Sequence, residues 1–345
     1  MTHVTLRVNE KEHPTYFESK PQNAEGSFFF FLALFNMTSW VWMNGVDEAV
    51  ADPIDPVNEH DNRPSVKALI DEHSDKIVKI REGIEDDPLF DASKHDDLWI
   101  LRFWLSHKKT KQAIAAAKET LVFRQKYKLD EKDIRADTPH KTEEPRCKEY
   151  WQVRCQGDGI VLAIPDQKRG IICFIKFAQM STEAPKLLSE ETWDFAFVYT
   201  SEWTFQWLDY VTRTTGRLTR SVRFVDMTGI SMSNFDRAST KRDSKIMNER
   251  EDTYPQLLQT LYGCYPPSFM HTVWSFIRPI MPKRIIDKID LIEPSKNEKE
   301  RDRVLQHISL ENVPVHFGGK NAVAPKDWDD ACFQPQTEIT DEVET

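Results

Sequence analysis

The sequence predicts an α/β protein, because segments with helical periodicity alternate along the chain with apolar runs of strand length. Helices are indicated at residues 96–127 and 189–213 by apolar residues that recur every three or four positions. Strands are indicated at residues 171–177, which are almost continuously apolar, and at residues 221–226, where apolar and polar residues alternate. Helices and strands therefore both contribute to the predicted fold.

The composition excludes some classes of function. The chain has 345 residues, of which 39% are hydrophobic, so it can bury a large core and its length suggests two domains. The formal net charge of -10 argues against nucleic-acid binding, since neutralising phosphates requires an excess of Lys and Arg. The 5 cysteines are scattered without a CxxC pair, which indicates neither a zinc site nor a disulfide framework. We therefore expect no metal and a cytoplasmic location.

Residues 1–64 are predicted to be an N-terminal extension that is partly disordered. Most of it is polar and aperiodic, and residues 51–63 carry two prolines among acids and amides. Residues 28–43 are the most apolar run of the chain, but this run is too short to span a bilayer and is not placed as a signal peptide. It either packs on the body of the protein or contacts a membrane.

Residues 65–140 are predicted to form a small helical module. Ser65 is a good N-cap for a helix that continues to residue 84, and Asp96 favours the start of a second helix. Thr110 begins a third helix with a high intrinsic propensity, because four of the five residues from 113 to 117 are alanine. The second and third helices are expected to form a hairpin.

The helix predicted at residues 189–213 carries an aromatic stripe. Such a stripe is typical of a core or of the wall of an apolar cavity. Its members are Trp193, Phe197, Thr200, Trp203, Trp207 and Val211. The strand at residues 221–226 follows, and Gly229 marks the turn after it.

A short segment at residues 269–281 is apolar around most of its circumference, so it must be buried or meet lipid. Ser268 is a good N-cap, and Pro279 ends the regular helix. At about 1.5 Å per residue the segment is roughly 20 Å long and cannot cross a hydrocarbon core of about 30 Å. Lys283 and Arg284 follow it, where anionic headgroups would favour cations. The segment is therefore an internal core helix or a movable lid that touches a membrane.

Several motifs resemble those of the CRAL-TRIO lipid-binding proteins, and they occur in the family's order from residue 96 to residue 320. The run DDLWILRFWLSHKKTKQAIAAAKETLVFRQKY resembles the family's N-terminal helical module. The run VDMTGISMS resembles its D-L-K-G-[IL]-S signature, and NVPVHFGG resembles its terminal N-L-P-V-E-[YF]-G-G. Between these last two runs, the chain also resembles the family's Y-P-E-R-L segment, its gate helix and the strand that follows. The matching residues are Tyr254-Pro255, Tyr262, Pro267, Trp274, Pro279, Lys288 and Ile289.

The resemblance implies that residues 145–320 form an α/β lobe, whose sheet floors an apolar lipid cavity closed by a gate helix. Residues 321–345 are expected to be an acidic tail. The candidate residues of the gate helix and cavity are Tyr262, Phe269, Met270, Val273, Trp274, Phe276, Ile277, Phe224 and Phe197.

The implied function is to bind a hydrophobic ligand, foremost a phospholipid, and to transfer or present it at cytoplasmic membranes. We expect a monomer that associates peripherally with membranes and needs no cofactor besides the bound lipid. No GxSxG, GxxxxGK[ST] or HExxH motif is present, so we expect no enzyme. Two alternatives stay open: a lipid-sensing scaffold that retains its ligand, and a carrier of a sterol, tocopherol, retinoid or haem.

The expected headgroup site departs from the family's pattern. In members that bind phosphatidylinositol, an acid and a base follow Tyr-Pro and act with a later lysine, but here Gln256 and Leu257 stand at the first two places. Recognition of phosphatidylinositol is therefore open. The family's choline site has two strand hydroxyls, of which one is replaced by Arg223. If Arg223 is buried it needs an anion and could take the lipid phosphate, whereas at a strand edge it would be solvated. The candidate headgroup residues are Ser221, Arg223, Lys288, His107 and Lys108.

Besides Arg223, six basic residues gather between residues 213 and 242 of this acidic chain. They could orient the protein toward anionic lipid, at about 1 kcal/mol for each residue near the surface, or they could form an ordinary solvated face. They are Arg213, Arg217, Arg220, Arg237, Lys241 and Arg242.

Overall fold

The structure is a computed structural model that describes residues 63–135, 137, 142–154, 161–166, 170–231, 234, 242, 246, 253–277, 287–305 and 313–320. For residues 161–166, 170–172, 179, 271–273, 276 and 277 it describes the backbone alone. The apolar run of residues 28–43, the rest of the N-terminal extension before residue 63, and the acidic tail lie outside the described residues. None of the helices within the described ranges is both long and apolar enough to cross a membrane.

The N-terminal part of the described chain is helical. Its helices are α1 (Val66–Glu72), α2 (Ser74–Glu82), α3 (Asp97–His107) and α4 (Thr110–Tyr127). Two predicted caps are confirmed: Ser65 Oγ accepts from the Ala68 amide at 3.3 Å, and an Asp96 carboxylate oxygen accepts from the Trp99 amide at 3.0 Å. The helix predicted from residue 65 to residue 84 is in fact two helices, because His73 leaves the helical conformation with φ -109° and ψ 17°.

The apolar faces of these four helices form one hydrophobic core. It contains fully buried residues such as Ile80, Leu101 and Phe103, and Leu218 from the lobe also packs into it. The α3–α4 hairpin therefore has the buried side that the spacing of its apolar residues predicts.

The rest of the described chain forms an α/β lobe. Its elements are α5 (Pro145–Arg154), β1 (Val161–Asp166), β2 (Gly170–Lys176), α6 (Ala184–Leu187), α7 (Glu190–Thr215), β3 (Ser221–Asp226), β4 (Leu258–Cys264), α8 (Ser268–Ile277), β5 (Ile289–Ile292) and α9 (Glu298–Leu305). Short 3-10 turns lie at Phe177–Gln179 and Val315–Phe317. The predicted helix at residues 189–213 is α7, with Ser189 as its N-cap, and the two predicted strands are β2 and β3.

The strands form one mixed sheet in the order β1-β2-β3-β4-β5. β1 pairs antiparallel with β2, and the remaining neighbours are parallel. β3 is the central strand, and all six of its residues are buried. Both faces of the sheet are therefore covered at its centre, as is usual for parallel strands.

One face of the sheet carries a row of aromatic rings, one from each of β2, β3 and β4. Phe174, Phe224 and Tyr262 are in register, with ring centroids 4.9 Å and 5.2 Å apart in stacked arrangements. Phe317 covers the row, with its centroid 4.9 Å from that of Phe174. Val304 of α9 packs in the same cluster. The C-terminal part of the lobe therefore closes this face of the sheet.

Buried and half-buried ion pairs join the helical module to α7. Arg102 of α3 donates to Asp209 at 3.1 Å, and its side chain is 1% exposed. Arg124 of α4 makes two parallel bonds to Glu202, each of 3.1 Å. Such bidentate pairs fix relative orientation as well as adding energy, so the module and α7 pack in one defined arrangement.

Candidate functional site

The turn before β4 brings together elements that are far apart in the sequence. The Leu257 carbonyl accepts from the Ser221 amide at 2.8 Å and from the Ser221 hydroxyl at 2.7 Å. Lys288 Nζ donates to the Leu258 carbonyl at 3.1 Å. Two candidate headgroup residues, Ser221 and Lys288, are thereby fixed on the same turn.

The end of α3 reaches this turn through a buried amide contact. Gln256 is fully buried, and its Nε2 donates to Ser106 Oγ at 3.1 Å. Ser106 directly precedes His107, which ends α3, and Lys108, which follows with a left-handed backbone (φ 54°). The structure therefore places the candidates His107 and Lys108 at the same end of the lobe as this turn.

Burial explains why neutral residues suit the two positions after Tyr254-Pro255, where phosphatidylinositol-binding members have an acid and a base. Tyr254, Gln256 and Leu257 are at most 1% exposed, and Tyr254 packs against Phe123 and Phe205 with ring centroids 5.9 Å away in each case. An acid and a base at positions 256 and 257 would need partners in this buried setting, since burying an unpaired charge is costly. Gln256 satisfies part of its polarity through Ser106 without a charge.

Arg223 lies in the interior of the lobe and not at a strand edge. It is 6% exposed and belongs to the central strand, so the alternative of a solvated guanidinium is wrong. Burial lowers the pKa of Arg223, and the nearby Cys173 thiol offsets only part of this effect. The pairing of Cys173 with Arg223 across β2 and β3 explains their proximity.

Arg223 borders a small cavity between the sheet, α5 and α7. The cavity measures about 40 Å³ and is lined by Tyr150, Trp151, Ala196, Phe197, Thr200, Ser201 and Arg223. One water occupies about 30 Å³ in the liquid, so this space suits one small polar group and not a pair of acyl chains. The larger cavity expected for a lipid stays a prediction.

The aromatic candidates divide between the two sides of the sheet. Phe197 lines the small cavity beside Arg223. Phe224 and Tyr262 instead belong to the aromatic row on the opposite face, packed under Phe317. This differs from the expectation that both line the lipid cavity. The reason is the two-residue period of a strand, which directs Phe224 away from the face that carries Arg223.

The predicted gate helix has a counterpart in α8. It runs from Ser268 to Ile277, with Met270 buried and Phe269 and Trp274 half-buried. The side chains of Val273, Phe276 and Ile277, and the whole of residues 278–286, lie outside the described residues. A gating motion of α8 stays a prediction.

The basic residues between 213 and 242 are engaged within the protein where they are described. Arg213 pairs with Asp96 and Asp209, and Arg217 donates to the Arg63 carbonyl at 3.3 Å. Of the other two described members, Arg220 is buried and Arg242 donates to the Leu188 carbonyl at 2.7 Å. Arg237 and Lys241 lie outside the described residues. These contacts disfavour a membrane-steering role for this stretch.

Sequence reasoning missed the polar and aromatic groups that surround Arg223. Tyr150 and Trp151 are on α5, a helix with no clear apolar period, and they meet Thr200 and Ser201 only in the folded lobe. The adjacent Tyr-Trp pair was the one available signal, since two neighbouring aromatic residues on a short polar helix need a place to pack.

The mixed sheet, the helices packed on it and the buried guanidinium beside a small cavity define an α/β lobe. Residues 156–319 match the family model of the CRAL/TRIO domain. This part of the chain is therefore a CRAL/TRIO domain, which confirms the resemblance. The protein accordingly binds or transfers a lipid or another hydrophobic small molecule.

One similar solved structure is described as the crystal structure of Sfh5. It is 12% identical to this chain, with a TM-score of 0.43, and the alignment covers 71% of this chain and 83% of that chain. A search of curated proteins finds no match.

Proposed function

We propose that this protein carries a phospholipid whose phosphate is held by Arg223, and that it transfers or presents this lipid at cytoplasmic membranes. The observation that carries the proposal is the buried guanidinium beside a cavity. Its other lining residues, Tyr150, Trp151, Ala196, Phe197, Thr200 and Ser201, are all neutral. A lipid phosphate reaching this cavity would form a charge-assisted contact with Arg223, the kind of anion that a planar guanidinium binds in bidentate fashion.

The physical need for such a carrier is large. A lipid with about 30 methylene groups would lose roughly 24 kcal/mol on entering water, at about 0.8 kcal/mol for each methylene. Spontaneous desorption from a bilayer is therefore very slow. A protein speeds the exchange by replacing the apolar contacts of the bilayer with its own.

We further propose that the protein is a monomer that associates peripherally with cytoplasmic membranes. It uses no cofactor besides its lipid and performs no catalysis. The described cysteines support the absence of thiol chemistry. Burial raises the pKa of Cys147 to about 12 and that of Cys264 well above its usual range, so neither is a ready thiolate.

Native mass spectrometry of the full chain after gentle purification tests the proposal. We expect a stoichiometric phospholipid. A chain that carries no lipid would contradict the proposal, and a bound sterol, tocopherol, retinoid or haem would favour the alternative carrier. Transfer of labelled phospholipid between vesicles then separates a transfer protein from a lipid-sensing scaffold, which binds its ligand without moving it.

Replacing Arg223 with Gln should weaken phospholipid binding by about 10- to 100-fold, since a hydrogen bond to a charged group contributes roughly 1.5–3 kcal/mol. Diacylglycerol has the same acyl chains without the phosphate, so its binding should change little. Titration of both lipids measures the difference.

The matched control is Arg154→Gln, which removes another buried arginine. Arg154 donates to the Ser181 carbonyl at 2.7 Å and is not among the residues that line the cavity. This variant should lower stability and leave the ratio of phospholipid to diacylglycerol affinity unchanged. If Arg223→Gln weakens both lipids equally, Arg223 has a structural role and does not bind the phosphate.

A further inference from the structure

The outward face of α4 carries a stripe of lysines. Lys111, Lys118 and Lys126 are exposed, and they alternate with Ala115 and Val122, which are exposed as well. Positions separated by four, three, four and four residues lie on one side of an α-helix. This lysine face is therefore continuous and about 22 Å long, at about 1.5 Å per residue. Lys109 and Lys128, the residues that flank α4 at its two ends, are also exposed.

The charge of this face is not neutralised by neighbouring acids. Glu119 is the single acidic residue of α4. Within the part of the chain that the structure describes, none of the salt bridges involves a lysine of this face. Three exposed lysines elsewhere are instead paired with acids: Lys148 with Glu143 at 2.7 Å, Lys186 with Glu183 at 2.6 Å and Lys296 with Glu293 at 3.3 Å. The lysine face is thus a local positive surface on a chain whose net charge is -10.

An apolar side chain sits in the middle of this positive surface. Val122 is 57% exposed, and one lysine flanks it on each side along the stripe. A lone exposed valine is unremarkable in itself. Between lysines on a helix face it matches the composition of surfaces that rest on the headgroup region, where the cations meet anionic lipid and the apolar residue enters the interface.

We propose that the lysine face of α4 docks on an anionic bilayer and so orients the CRAL/TRIO domain for exchange of its ligand. The proposal rests on the proposed function, since exchange requires contact with a membrane. A bilayer fits the face better than a nucleic acid does, because the exposed Val122 can enter the boundary between headgroups and acyl chains, whereas a phosphate backbone offers it no apolar layer. The face also lacks an exposed aromatic residue on which a base could stack.

The test compares the binding of the full chain to two kinds of vesicle, one of pure phosphatidylcholine and one that contains about a third phosphatidylserine. We expect the wild-type protein to bind the anionic vesicles more tightly and to lose this preference as salt is raised, because exposed charges are screened over about 8 Å at physiological ionic strength. The triple variant Lys111→Gln/Lys118→Gln/Lys126→Gln should bind them about 100-fold more weakly, at roughly fivefold for each lysine. Glutamine keeps helix propensity near that of lysine, so α4 should stay intact.

The control is Lys148→Gln/Lys186→Gln/Lys296→Gln, which changes the net charge by the same amount at three exposed lysines that are paired with acids. It should retain most of the binding. Equal binding by the triple variant of α4 and the wild type overturns the proposal, as does an equal loss in both triple variants. Native mass spectrometry of the same samples tests the proposed function separately: a chain without lipid that still binds vesicles through α4 contradicts the carrier function and not the docking surface.

Discussion

Replacing Glu202 with Gln should lower the free energy of unfolding by about 1.5–3 kcal/mol, because it removes one of the two carboxylates that pair with a buried guanidinium and leaves Asp130 at 2.7 Å as the other. Arg124 and Glu202 are 8% and 1% exposed in their side chains, and two parallel hydrogen bonds join them. Although burial lowers the pKa of Arg124, the charges of Glu202 and Asp130 raise it further, so the net direction is upward. The guanidinium therefore stays charged and cannot escape the penalty by losing its proton.

Urea denaturation measures this effect. Glu191→Gln is the matched control on the same helix, because Glu191 is 82% exposed and its contact with Arg146 is 3.5 Å long. An exposed pair contributes at most about 1 kcal/mol, so this control should unfold near the wild-type midpoint. Similar midpoints for Glu202→Gln and Glu191→Gln would contradict a buried ion pair. The double variant Arg124→Met/Glu202→Met should be more stable than Glu202→Gln, since it removes both charges.

Replacing Phe224 with Ala should cost about 3–5 kcal/mol, because it removes the central ring of the aromatic row. Phe224 is fully buried and stacks between Phe174 and Tyr262, with Phe317 above them. Its position on the sheet face opposite Arg223 leads to a second expectation. The affinity for lipid, measured at a temperature where the variant is folded, should be close to that of the wild type.

Phe197→Ala supplies the comparison for this prediction, since it makes the same chemical change on the cavity side. Phe197 is only partly buried and lines the cavity beside Arg223. This variant should alter lipid affinity more than stability. The opposite pattern, in which Phe224→Ala abolishes lipid binding while the folded fraction is unchanged, would place the ligand on the other face of the sheet.

The helices were the part of the fold most accessible from the sequence. Each of α1, α3 and α7 begins beside a residue whose side chain caps the first turn, namely Ser65, Asp96 and Ser189. Capping is a local interaction, and so is the three-to-four spacing of apolar residues behind each cap. These signals need no knowledge of distant partners.

The strand β4 was not predicted, although it pairs with two neighbours. Its sequence, LQTLYGC, neither alternates regularly nor forms an unbroken apolar run. A short strand of this kind is stabilised by its pairing with β3 and β5, which no local pattern reveals. The orientation of Phe224 was hidden for a related reason: all six residues of β3 are buried, so the sequence does not distinguish its two faces.

The candidate site was even harder to predict from the sequence than β4. Gln256 meets Ser106 across 150 positions, and Ser221 meets the Leu257 carbonyl across 36. The resemblance to the family pointed to the residues of this turn. It did not reveal that Gln256 is buried, because this burial arises only when the helical module packs on the lobe. The cavity beside Arg223 depends in the same way on α5, whose sequence has no regular apolar stripe.

The order of synthesis leaves the aromatic row exposed for a time, because Phe317, which covers the row, is made last. Phe174, Phe224 and Tyr262 are translated well before Phe317, which shields them. Tyr262 precedes Phe317 by 55 residues. At about 5–20 residues per second, the complete row would therefore wait roughly 3–11 s for the residue that covers it. We therefore expect the newly made lobe to depend on chaperones, and a chain released before residue 313 to aggregate.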